Sequence, residues 1–203
     1  MEMMKTMRKV KQMLAILLLA GVAAVPIATA QAAVVANQDA ATFVSSLGNE
    51  AFAVLKTGNK AMVRTKFREV LAQHFALDAI GDRLIRRWLT QITPAQKAAY
   101  KAAIPNFIIG TYSDALYDYA NGSLKVIRTA PAGSSFIVTT QVQKPGAQPI
   151  SAVWTVAKVG GAFKVSNAQV AGINLTMSQA ADFDAIIQRQ GFDALIAMMK
   201  SKG

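Results

Sequence analysis

Between Thr93 and Gly122 apolar residues recur every three or four positions: Tyr100, Ile104, Phe107, Ile108, Tyr112, Ala115, Leu116 and Tyr119. That spacing predicts one long amphipathic helix. Thr93-Pro94-Ala95-Gln96 supplies its start, with Thr as N-cap, Pro at the first helical position and Gln closing a capping box. Asn121-Gly122 supplies its stop. Pro105 falls inside, and its ring clashes with the carbonyl one turn back, so a kink is expected near Lys101–Pro105.

Three helices are expected before it. Asn37 to Lys56, capped by Asn37 or Asp39, gathers Phe43, Val44, Leu47, Val54 and Leu55 on one face. Lys60 to His74 turns Met62, Val63, Phe67, Val70 and Leu71 inward. Asp78 caps a third helix to about Leu89, burying Ile80, Leu84, Ile85 and Trp88. After Gly122 the period drops to two. Leu124–Val126, Phe136–Val142, Ile150–Val156 and Phe163–Leu175 are β-branched, alternating and separated by Pro/Gly turns, so they predict an antiparallel meander of about four strands. Ser178 opens a further helix to Gln190, and Phe192–Met199 makes a last helical segment after Gly191. Helices segregated from a meander give an α+β class.

The N-terminus changes the address. Lys5, Arg8, Lys9 and Lys11 precede an apolar run, Met13–Val25, that is short for a bilayer span. Ala28-Thr29-Ala30 then fits a signal-peptidase site, with Ala30-Gln31-Ala32 as an alternative. Residues 1–30 are therefore expected to be a cleaved secretory leader and 31–203 a single domain in the periplasm, of about 173 residues, with room for a sizeable core. The leader holds Glu2 against four basic residues, so its loss takes the formal charge from +11 to about +8. An exported basic protein meets little nucleic acid. Its charge favours transient contact with anionic membrane surfaces or acidic protein partners.

Candidate chemistry is thin. There is no cysteine and only one histidine, His74, expected at a helix end. Zinc sites and Cys/His nucleophiles are excluded, and no Ser sits in a nucleophile elbow. Gly160-Gly161 reads as a hairpin turn, not a phosphate loop, and no cofactor is implied. No carboxylate lies between Asp118 and Asp182. A base in a sheet cavity would have to come from a helix, as Asp114, Asp118, Asp182 or Asp184, all of which capping and solvation explain. An isomerase-like enzyme is the rival reading. What remains is a large apolar interior and a sheet with apolar residues on both pleat faces, so that both are covered or one lines a pocket.

The chain resembles the MlaC family, also called toluene-tolerance auxiliary proteins. The likeness rests on Phe75-Ala76-Leu77-Asp78, on Trp88 followed by Thr93-Pro94-Ala95-Gln96, and on Thr111-Tyr112-Ser113-Asp114-Ala115-Leu116. It continues through Phe163–Asn167, Val170–Leu175, Asp182-Phe183 and Gly191–Ile196. The chain departs from the family pattern in having Ile85-Arg86-Arg87 where Leu-Gly usually precedes the Trp. It also has Phe163 for Trp and Asn167 for Asp.

The resemblance implies helices packed on a curved antiparallel sheet, enclosing an apolar lipid pocket. It further implies a non-enzymatic periplasmic carrier of phospholipid, or of hopanoid in a related branch. The implied partners are an inner-membrane ABC transporter complex and an outer-membrane lipoprotein. On that basis the acyl chains are expected among Trp88, Ile108, Tyr112, Leu116, Val138, Trp154 and Val170. Arg64, Arg68, Arg86 and Arg87 are expected to meet head groups or docking partners, within a run of nine basic residues from Lys60 to Lys101.

Overall fold

The structure is a computed structural model and describes residues 34–36, 38–117 and 119–202. The expected leader and its cleavage site, the alternative cap Asn37, and Asp118 lie outside the described residues, as do the side chains of Asp114 and Ala115.

Six helices and five strands are described. Helix α1 (Ala40–Lys56) begins at Asp39, whose carboxylate accepts from the Thr42 amide at 2.9 Å. Helix α2 (Lys60–His74) begins at Asn59, which accepts from the Met62 amide. Helix α3 covers only Leu77–Leu84, shorter than the expected Asp78–Leu89. The chain from Ile85 to Ile92 runs in tight turns, with the Trp88 amide on the Ile85 carbonyl and the Gln91 amide on the Trp88 carbonyl. Apolar spacing in that stretch therefore reflects burial without helix.

Helix α4 (Pro94–Tyr117) starts as its sequence signal predicts. The Gln96 amide donates to the Thr93 hydroxyl at 3.1 Å, and the Thr93 amide donates to the Gln96 side chain at 3.0 Å. The helix continues through Pro105 and ends at Tyr117, short of the expected Asn121-Gly122 stop. Turns in which the Tyr119, Ala120 and Gly122 amides donate to the Leu116, Tyr117 and Tyr119 carbonyls carry the chain into the sheet. Gly122 is required there: a Cβ would lie 2.8 Å from the Tyr119 carbonyl oxygen and 2.9 Å from that of Gln143.

Strands β1 (Ser123–Ala132), β2 (Ser135–Gln143), β3 (Ile150–Val159), β4 (Ala162–Val170) and the two-residue β5 (Ile173–Asn174) form one antiparallel sheet in chain order. The expected four strands become five because the chain turns at Ala171-Gly172 and pairs back, Val170 with Ile173. Bulges interrupt β1 between Val126 and Arg128, and the β3–β4 pair at Thr155/Val156. Outside the meander, the Phe163 amide donates to the Ala36 carbonyl, and the Ala76 amide to the Val165 carbonyl.

Helix α5 (Leu175–Gln190) starts earlier than the expected Ser178, because Asn174 caps it by accepting from the Met177 amide. Gly191 ends it at φ +85°, and α6 (Phe192–Lys202) follows.

The interior is divided among three apolar clusters. A helical cluster joins α3, α4, α5 and α6 through Leu84, Ile85, Tyr100, Ile104, Phe107, Phe183, Leu195 and Met199. A sheet cluster joins α1 to one pleat face through Phe43, Val44, Leu47, Val138, Val156, Phe163 and Val165. A smaller end cluster gathers Val54 and Leu55 of α1 with Val63 of α2. Domains of this size more often have one contiguous core.

Candidate functional site

The seven residues expected around the acyl chains do not fall into one cluster. Trp88 and Ile108 pack against the helical cluster, and Leu116 against the end cluster. Val138 is fully buried in the sheet cluster, where it pairs with Trp154 across β2 and β3. Tyr112 bridges two elements, its hydroxyl 3.3 Å from Gln179 of α5. Burial, and secondarily the charge of Asp182, pushes the Tyr112 phenol above its usual pKa. Val170 is 36% exposed at the end of β4, next to exposed Ile173 and Met177.

The polar ends of both tryptophans are satisfied. Trp154 Nε1 donates to the Thr140 hydroxyl at 3.0 Å, which in turn donates to the Ala152 carbonyl. Trp88 Nε1 donates to Asp184 at 2.7 Å, and Arg87 closes on the same carboxylate at 2.9 Å. Asp184 thus lies well inside α5 and ties that helix to the turns after α3.

α4 changes its buried side along its length. Up to Phe107 its buried residues are Tyr100, Ala103, Ile104 and Phe107, all in the helical cluster. Beyond that the buried positions are Ile109 and Ser113, with half-buried Leu116 and Tyr117 against the end cluster. The change falls just after Pro105. The single stripe expected from spacing is therefore two stripes, serving two neighbours. On the second, the hydroxyls of Ser113 and Tyr117 are buried with no hydrogen-bond partner among the described residues.

The basic run is less free than its sequence suggests. Lys101 bonds Asp78 at 2.8 Å, which holds that carboxyl below its usual pKa, and Lys97 stands 3.8 Å from Asp82. Arg68 donates twice to Asn106, tying α2 to α4, and Arg83 donates to the Ser166 carbonyl. Arg64 and Arg86 are exposed and have neither an ion pair nor a side-chain hydrogen bond among the described residues.

Two open grooves of about 390 and 290 Å³ run along α4 and meet at Lys200 of α6. Alanines line them, and none of the seven expected residues is involved. Among the described residues no group of three or more His, Asp or Glu could hold a metal. His74 ends α2 with its ring 6.1 Å from that of Phe43, and burial lowers its pKa.

Residues 45–201 match the model of the MlaC protein family. The chain belongs to the MlaC family. A curated relative is the intermembrane phospholipid transport system binding protein MlaC of Haemophilus influenzae, 22% identical over 143 residues, covering 68% of this chain and 67% of that one. Among solved structures, a phospholipid-binding protein of Ralstonia solanacearum, determined in complex with a phospholipid, superposes with a TM-score of 0.69 at 20% identity. That match covers 81% of this chain and 97% of the other, so the two share a fold.

Several segments that carry the MlaC resemblance take structural roles. Phe75–Asp78 bridges to β4 and opens α3. Thr111–Leu116 forms the second half of α4. Asp182-Phe183 places a fully buried aromatic of α5 against Tyr100 and Phe107. Gln179, Ser113 and Tyr117 were not singled out by spacing, because polar residues on a helix read as its solvated side.

Proposed function

We propose that this protein is an exported carrier that holds a phospholipid by its acyl chains and moves it through the periplasm between inner and outer membranes. Its proposed partners are an inner-membrane ABC transporter complex and an outer-membrane lipoprotein, with transient membrane contact at loading and release. The reading is supported chiefly by MlaC membership over residues 45–201, together with a fold shared with a protein crystallised on a phospholipid.

The physical demand is severe. Taking a lipid from a bilayer forfeits about 0.8 kcal/mol per methylene, on the order of 20 kcal/mol for two chains. An open groove that leaves half of each chain wet cannot offset that, so the chains must be enclosed. The divided interior offers a place where the clusters meet along α4: Ile108 lies against the helical cluster, Leu116 against the end cluster and Tyr112 between them, with Trp154 on the sheet side. Two clusters that are each separately packed can part along a seam without either losing its own contacts. Val138, fully buried and opposite Trp154, supports the sheet wall from within. Trp88 braces α5, and Val170 stands at the rim.

The test is extraction of the mature protein with organic solvent after purification from cells, followed by uptake from labelled vesicles. One lipid per protein is expected in the extract, and transfer between vesicles is expected to require the protein. No stoichiometric lipid and no transfer would overturn the reading.

A further inference from the structure

Ser113 is 3% exposed, and its hydroxyl has no partner among the described residues. One turn on along the same side of α4, the Tyr117 hydroxyl is also buried and unpartnered. A buried hydroxyl without a hydrogen bond is costly, and nearly all such groups in folded proteins are satisfied by something. Two on successive turns mark a place where acceptors belong. Below them lies the apolar end cluster of Val54, Leu55 and Val63, against which Tyr117 packs.

Two contacts fix how α2 lies along this side of α4. Arg68 bonds Asn106, and the Lys60 ammonium stands 5.8 Å from the centre of the Tyr117 ring. The helices therefore run antiparallel, and Arg64, midway between Lys60 and Arg68, stands opposite the α4 turn that ends at Ser113. Arg64 is exposed and has neither an ion pair nor a side-chain hydrogen bond among the described residues. Outward from the end cluster, the seam thus offers apolar surface, two hydroxyl donors and then two cations.

We infer that this α2–α4 seam binds the glycerol-ester region of a phospholipid, with the Ser113 and Tyr117 hydroxyls donating to its ester carbonyls and Arg64 and Lys60 facing its phosphate. The inference rests on the carrier reading and names the chemistry its site recognises. The order of groups matches that of the lipid: acyl chain, ester carbonyl, phosphodiester. Ester carbonyls are strong acceptors with no donor of their own, and hydroxyls left unpaired by the protein are their complement.

Ester-linked and ether-linked phospholipids of the same head group and chain length test this directly, since the ether lipid lacks only the carbonyls. Affinities would be measured by competition for the mature protein stripped of lipid. The wild type should prefer the diester by about tenfold, the scale of one to two hydrogen bonds. The Ser113→Ala, Tyr117→Phe double variant should bind the two lipids equally. Its lipid-free form should melt at or above the wild-type temperature, because it loses only unsatisfied groups. Arg64→Gln should weaken both lipids alike and keep the preference.

Equal affinity of the wild type for the two lipids overturns the inference while leaving the carrier reading standing. A preference that survives in the double variant also overturns it, as does a lower melting temperature with the preference intact, which would make the hydroxyls structural. Failure to bind either lipid overturns both readings.

Discussion

The two halves of α4 are built differently although one helix carries both. From Pro94 to Phe107 the helix is capped reciprocally, and its buried residues meet rings on two other helices. Tyr100 lies edge-on to Phe183 and Phe192, and its hydroxyl donates to the Gly81 carbonyl. From Ile108 to Tyr117 half-buried Leu116 and Tyr117 meet the end cluster, the Tyr112–Gln179 contact is long at 3.3 Å, and two buried hydroxyls have no partner among the described residues. The first half is finished by the protein alone. The second leaves two buried hydroxyls without a partner among the described residues. Under the proposed carrier function a rigid half would hold the fold, and an unsatisfied half would give cargo a free-energy reason to enter.

The strongest way to break that contrast is to truncate one ring in each half. Phe183→Ala, against the first half, should lose about 3–5 kcal/mol, as buried aromatic truncations do. Tyr112→Ala should lose clearly less stability and instead lower the amount of lipid retained, by urea titration and solvent extraction. Equal stability losses would show that the two halves are alike.

Adding bulk sharpens the same contrast. Val138 is fully buried, so Val138→Trp overpacks the sheet cluster and should cost about 1–3 kcal/mol. Leu116→Trp, at the half-buried end of α4, should fold nearly as well as wild type and carry less lipid. A Val138→Trp protein with unchanged melting would show that the sheet side also has room.

A smaller effect is expected at the tie that holds α5 to the finished half. Trp88→Phe keeps the ring and removes the donor to Asp184, which Arg87 still covers, so about 1–2 kcal/mol should be lost. Lipid retention should hold, and its loss would place Trp88 at the cargo after all.

The smallest effect belongs to pH. Burial holds the His74 pKa below 6.5, with Lys164 adding to the shift and Glu50 opposing it. The unfolded chain therefore binds the proton more readily. The stabilisation is complete above the unfolded pKa and fades as pH falls below about 6.5. The carboxylates with lowered pKa, Asp39 and Asp78, act in the same direction but only nearer pH 4 and below. A His74→Gln variant should flatten the stability profile between pH 7 and pH 5. An unchanged profile would place that dependence elsewhere.

The sequence was informative wherever a local signal had no competitor. The Thr93–Gln96 box and the Gly160-Gly161 hairpin both appear as spacing implies, since each is decided by neighbours in the chain. It was less informative where tertiary contacts decide. Ile85–Trp88 has helical spacing but forms turns, because Trp88 must reach Asp184 on another helix. Val170 alternates like a core residue yet is 36% exposed. Ser113 and Tyr117 read as a helix's polar face, and only the packing of α2 against α4 shows that they point inward. The division into three clusters has no sequence signature, because apolar spacing reports that a residue is buried and not which neighbours bury it.

The two backbone bonds from the meander to its surroundings have a further consequence, for colloidal behaviour. A sheet of five strands has two edges, and an unpaired edge invites a strand from another molecule. Here β5 covers β4 only at one end. The rest of that edge is occupied by the segment before α1, through Ala36 and Phe163, and by the link after α2, through Ala76 and Val165. The opposite edge, β1, carries Lys125, Arg128, Pro131 and a bulge, each a known deterrent to strand addition. A chain so rich in apolar residues thereby keeps its backbone from becoming a template for its own polymerisation.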